Sequence, residues 1–170
     1  MTPFEQFVSE RGALSRTEFL EAVREPHVLV DLRPQSTRDS SFLTVRLDKK
    51  AVEETRRAGR RVIAPVAKRP GAQNAFAMMI TVGRAANNDI VIPDQRVSKF
   101  HAYFREEGGR WLLCDANSRN GTLIDGEAAP QQGGAPVAAG ARIELAQKLE
   151  LLFCDPELLF EHVQAARAGA

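Results

Sequence analysis

Apolar residues recur along this chain in short alternating or continuous runs, separated every eight to twelve positions by Gly, Asn and Asp clusters. From residue 61 onward the runs are Arg61–Ala67, Ala77–Val82, Ile90–Ile92, Trp111–Leu113 and Lys148–Cys154. The breaks between them include Glu107–Arg110, Asn117–Gly121, Asp125–Gly126 and Gln131–Ala135. Short strands at that spacing predict an antiparallel β-sandwich or barrel. Pro65 inside its run predicts an edge strand, because proline cannot donate to a ladder.

The ends of the chain follow a different period. Thr2-Pro3-Phe4-Glu5 reads as a helix start, with Thr2 as cap, Pro3 in the first turn and Glu5 three residues after the cap. Phe4, Phe7 and Val8 give this helix an apolar face, and Gly12 ends it. Ser15-Arg16-Thr17-Glu18 is a second capping box, with Leu14 placed to pack on Phe19 across it. Val28–Val30 reads as a short strand, Gln35–Ser41 as a polar joint, Phe42–Leu47 as a strand and Lys49–Arg57 as a short helix. At the far end Asp155-Pro156 caps a closing helix whose Leu158, Leu159 and Val163 would pack on the sandwich. The expected division is 1–57, an α/β extension; 58–155, the β domain; and 156–170, the closing helix.

Polar and cationic residues gather where the strand pattern breaks: Gly83-Arg84, then Ser98-Lys99 with His101, then Ser118-Arg119-Asn120-Gly121-Thr122. Chemistry confined to loops over a rigid scaffold indicates a binding site. Arginine, lysine, hydroxyl and carboxamide groups suit a phosphate and offer little to a reacting bond.

Gly83-Arg84, Ser98-Lys99-Phe100-His101, Ser118-Arg119-Asn120-Gly121-Thr122 and Asp125-Gly126 resemble, in order and spacing, the blocks of the forkhead-associated (FHA) domain. Asn88–Ile92 and Val97–Ala102 resemble the family's flanking phrases, and the likeness spans about residues 60–155. The resemblance implies a mainly β fold: a sandwich of two antiparallel sheets, here with a small helical N-terminal extension and a C-terminal helix. It also implies a non-catalytic reader of phosphothreonine in Ser/Thr kinase signalling. Arg84 and Ser98 would hold the phosphate with Lys99 or Arg119, and Asn120 would hold the peptide backbone. Gly83, His101, Gly121 and Thr122 would support the loops. Arg119 stands where the family often has threonine, so its contact could go to phosphate or to solvent. The alternative is a phosphate-independent scaffold that docks partners through the FHA surface or the N-terminal helices.

Whole-chain properties narrow the classes further. A chain of 170 residues with formal net charge +1 lacks the basic balance of a general nucleic-acid binder. No apolar run approaches the roughly 18–20 residues of a membrane span, and the N-terminus has no signal-peptide pattern. Cys114 and Cys154 each close an apolar run and read as buried thiols. Ser98, His101 and Asp115 could suggest a triad, but nothing supplies a nucleophile elbow or its equivalent, so no catalytic residue is assigned. The expectations are therefore a cytoplasmic monomer without metal or cofactor, whose partner is a phosphothreonine segment of a Ser/Thr kinase or its substrate.

Overall fold

The structure, a computed structural model, describes residues 1–32, 60–72, 74 and 76–169. The joint at 35–41, the strand at 42–47, the helix at 49–57 and the boundary at 57/58 lie outside the described residues.

Two sheets form the body. The five-stranded sheet runs β10-β7-β6-β4-β5, built from β4 (Ile80–Gly83), β5 (Ile90–Val91), β6 (Ala102–Glu107), β7 (Arg110–Asp115) and β10 (Ala135–Val137). The seven-stranded sheet runs β1-β3-β2-β12-β11-β8-β9, from β1 (Thr2–Pro3), β2 (His27–Leu32), β3 (Arg60–Pro65), β8 (Thr122–Ile124), β9 (Glu127–Ala128), β11 (Arg142–Leu145) and β12 (Leu149–Cys154). Pairing is antiparallel throughout, except that β4 and β5 run parallel. The fold is thus the expected mainly β sandwich with helices at both ends.

Strand periodicity explains the layers. In β2, Val28 and Val30 face the core between the sheets while Leu29 faces the other way. In β12, Leu151 and Phe153 point inward, and Leu152 and Cys154 outward. Val62 and Ala64 against Ile63 repeat the alternation in β3. A strand apolar on both faces needs cover on both sides. The outer cover comes from α1 (Phe4–Arg11), α2 (Arg16–Ala22) and α3 (Pro156–Ala168), whose Phe4, Phe19, Leu159 and Val163 are buried against that face. Burying a side chain of this size contributes about 1.5–3 kcal/mol. The extension is therefore joined to the sandwich: β2 lies between β3 and β12, paired over Val28↔Phe153 and Leu29↔Ile63.

Two caps form as the sequence implies. Ser15 and Glu18 make a reciprocal capping box, and the Asp155 side chain accepts the Leu158 amide at 2.8 Å with Pro156 in the first turn. The start of α1 differs. Thr2 and Pro3 pair with Ile63 and Val62 as β1, so Pro3 is the cap residue and no side chain caps the helix. A long-range ladder has overridden a local helix signal. β1 covers only Val62 and Ile63, so among the described residues no strand pairs with Pro65 on that side, as a proline requires. Cys114 and Cys154 are buried and unpaired, and burial, with Asp155 adding, pushes the Cys154 thiol up to about 12. That thiol stays protonated and inert.

Candidate functional site

Three loops meet at one end of the sandwich: the one leaving β4, the one between β5 and β6, and the one between β7 and β8. The first two are zipped by backbone bonds. The Arg84 amide donates to Ser98 O at 2.9 Å, Ala85 to Lys99 O at 3.1 Å, and His101 to Val82 O at 2.9 Å. Gly83 permits this approach, since a Cβ there would collide with the Lys99 carbonyl oxygen. Asn88 is buried beneath and bridges both loops, its Nδ2 donating to Ala85 O at 2.8 Å and Lys99 O at 2.6 Å.

The zipper fixes the cationic side chain. Arg84 is exposed, and its Nε donates to Val97 O at 3.3 Å. Both terminal nitrogens of the guanidinium remain unused among the described residues. One carbonyl back, Arg96 O accepts from Asn120 Nδ2 at 2.8 Å, leaving that carboxamide its oxygen and a second N–H. Ser98 follows, and its Oγ accepts the Arg119 amide at 3.0 Å. No described residue takes the hydroxyl proton. Arg84, Ser98, Arg119 and Asn120 thus converge on residues 96–98. Lys99, the next residue, is exposed like Arg119, and no carboxylate among the described residues holds either side chain.

His101 lies fully buried between the loops. Its Nδ1 accepts the Ser98 amide at 3.0 Å, which requires the proton on Nε2, and Nε2 donates to Gly121 O at 3.0 Å. Burial lowers its pKa, only partly opposed by the Gly121 carbonyl and the charge of Asp115. A neutral imidazole with both nitrogens in use is a tie, not a base. Gly121 takes φ +80°, a left-handed conformation that favours glycine.

Asp115 holds the third loop from below, a role the sequence did not announce. Its carboxylate accepts the Ser118 amide at 2.8 Å, the Ser118 hydroxyl at 2.7 Å and the buried Thr122 hydroxyl at 2.7 Å. Burial works against its charge, but the bonds from Thr122 and Ser118, with His101 nearby, keep its pKa below the ordinary value. The Ser118 oxygen in turn accepts the Gly121 amide at 3.0 Å. Asp89 does the same for the first loop, receiving Lys68 Nζ at 2.8 Å, the Thr81 amide and hydroxyl at 2.9 Å each, and the Arg69 amide at 3.0 Å. Asp94 is forked by Arg96 at 3.0 and 2.6 Å.

Residues 80–146 match the family model for the FHA domain, and those residues contain all three loops. Those residues are an FHA domain. Its FHA region is similar to the glycogen accumulation regulator GarA of Mycolicibacterium smegmatis, 33% identical over 91 residues, covering 52% of this chain and 55% of that protein. It is also similar to the oxoglutarate dehydrogenase inhibitor of Corynebacterium diphtheriae, 31% identical over 75 residues, covering 44% of this chain and 50% of that protein. The chain spans about half the length of these curated relatives. The solution structure of the FHA domain of an Arabidopsis thaliana hypothetical protein shares the fold, with TM-score 0.50 and 20% identity over 78% of this chain and 86% of that one. Among the described residues, no group of His, Cys, Asp and Glu is arranged to hold a metal, and no helix is long and apolar enough to cross a membrane.

Proposed function

We propose that this FHA domain is a non-catalytic reader of phosphothreonine in an extended segment of a partner protein, a product of Ser/Thr kinase signalling. The observation that carries the reading is the guanidinium of Arg84, anchored by Nε on the Val97 carbonyl with both terminal nitrogens unused among the described residues. A phosphothreonine at pH 7 brings about −1.5 to −2 charges and three acceptor oxygens. Arg84 would supply the fork, the Ser98 hydroxyl a neutral donor, and Lys99 and Arg119 further positive charge. Asn120, steadied on the Arg96 carbonyl, would clamp the peptide main chain with its free oxygen and N–H. A catalytic role finds no support in His101, whose two nitrogens are bonded to the loops.

The test is a fluorescence-anisotropy titration of the full chain with a degenerate phosphothreonine peptide library and its unphosphorylated twin. Saturable binding of the phosphorylated library alone is expected. Equal binding of both libraries would move the assignment to a phosphate-independent scaffold.

A further inference from the structure

Beside the phosphate seat stands an aromatic group that the reading above leaves unused. Phe76 is 43% exposed and stacks on Phe100, ring centroids 5.4 Å apart and planes 19° from parallel. Phe100 in turn leans on Tyr103 of β6 at 6.1 Å. Met78, 85% exposed, lies two residues along from Phe76. Exposed aromatics normally gain by folding inward, yet this one is held out by a dedicated latch. Lys68 Nζ donates to Phe76 O and Met79 O at 3.1 Å each and to Asn74 Oδ1 at 2.8 Å, while pairing with buried Asp89 at 2.8 Å. Asn74 Oδ1 also accepts the Phe76 amide at 3.3 Å. The carboxylate that secures the loop leaving β4 therefore also fixes the segment that presents Phe76.

Position gives the group its meaning. Phe100 follows Lys99 and is two residues from Ser98, so its Cα lies within roughly 7 Å of the phosphate-facing loop residue. An extended peptide advances about 3.3 Å per residue, so one leaving the seat on this side crosses the stack within a few residues. The charge of Lys68 is already met by Asp89, and the surface offered is apolar.

We propose that Phe76 and Phe100 form a selectivity surface that receives a nonpolar side chain close to the phosphothreonine on the same partner segment. This rests on the phosphopeptide reading. It adds which neighbouring residue chemistry the domain prefers.

The probe is a set of phosphothreonine peptides in which each flanking position carries Leu, Ser or Asp in turn, titrated against the full chain. The parent should favour Leu over Ser at one position by about fivefold, the effect of partly burying one aliphatic side chain. Phe76→Ser should abolish that preference while still binding the Ser peptides, and Phe76→Leu should restore most of it. Thermal melting checks that each variant is folded. The proposal is overturned if the parent shows no apolar preference, if Phe76→Ser keeps it, or if sedimentation shows self-association that Phe76→Ser removes, which would give the surface to a second copy. If no phosphopeptide binds at all, the phosphate reading falls and takes this one with it; binding without preference sinks this one alone.

Discussion

Replacing Arg84 with alanine removes the planar fork while leaving its backbone bond to Ser98 O in place. Among the described residues only Nε is tied to the protein, so the variant removes one donor from the carbonyl of buried Val97. That bond is long, at 3.3 Å, and Arg84 itself is exposed, so stability should fall by about 1 kcal/mol, the net worth of one hydrogen bond. Affinity should change far more. Two charge-assisted bonds from the terminal nitrogens, at the lower figure of about 1.5 kcal/mol each, amount to about 3 kcal/mol, or about 150-fold. Solvent at the mouth and the remaining charges of Lys99 and Arg119 will offset part of this, so the expected loss lies between about tenfold and 150-fold. Arg84→Lys should recover only part, because an ammonium is a point charge without the fork. The assay is anisotropy with the phosphorylated library, paired with thermal melting. A folded Arg84→Ala protein that binds as tightly as the parent would refute the argument.

Other outcomes follow from the supports of the site. Asp115→Ala leaves the Ser118 amide and two hydroxyls without their acceptor, so denaturant unfolding should show a loss of about 2–4 kcal/mol and peptide affinity should fall with it. Gly83→Ala forces a Cβ onto the Lys99 carbonyl and should cost about 1–3 kcal/mol by the same measurement. Leu159→Ala, on the helical layer, should cost about 2–5 kcal/mol while phosphopeptide affinity of the folded protein stays unchanged. His27 and His101 both have pKa values lowered by burial from 6.5, so the unfolded chain binds more protons just below that value. Their contribution is complete above pH 6.5 and is lost as pH falls below it; Asp89 and Asp115, lowered from 3.8, add a second loss below that pH. Chemical denaturation across pH 3–8 checks the two stages, and a flat profile between pH 6.5 and 5 would contradict the buried neutral histidines.

The polar clusters could be read from the chain because their residues are unusual for strands and their spacing is fixed by the loops they fill. Ser15 and Asp155 could be read because capping depends on neighbours three residues away. Thr2-Pro3 misled for the converse reason: its fate is set by Val62 and Ile63, some sixty residues on, and no local pattern carries that pairing. Val28–Val30 declared a strand, but not its place between β3 and β12, since alternate faces are both apolar and the run names no neighbour. Asp89 and Asp115 look like any acid beside a turn until the hydroxyls and amides around them are placed. Phe76 looks like core, and only the Lys68 latch reveals why it is not.

A chain of formal net charge +1 can still present a strongly cationic seat, provided its acids and bases are sorted by direction. In the three loops that sorting is visible. Asp89 is turned inward to Lys68 and Thr81, Asp94 is forked by Arg96, and Asp115 is buried under Ser118 and Thr122. Each carboxylate thereby spends its charge on amides, hydroxyls or a local cation, and each does so while tying down a loop. Arg84, Lys99 and Arg119 are left outward, with no carboxylate among the described residues bonded to them. Under the proposed function, the anions that would otherwise repel a phosphate are the struts that hold its donors in position. Rigidity and positive potential therefore come from the same residues, and a dianion bound as proposed would meet donors whose ordering cost was met when the domain folded.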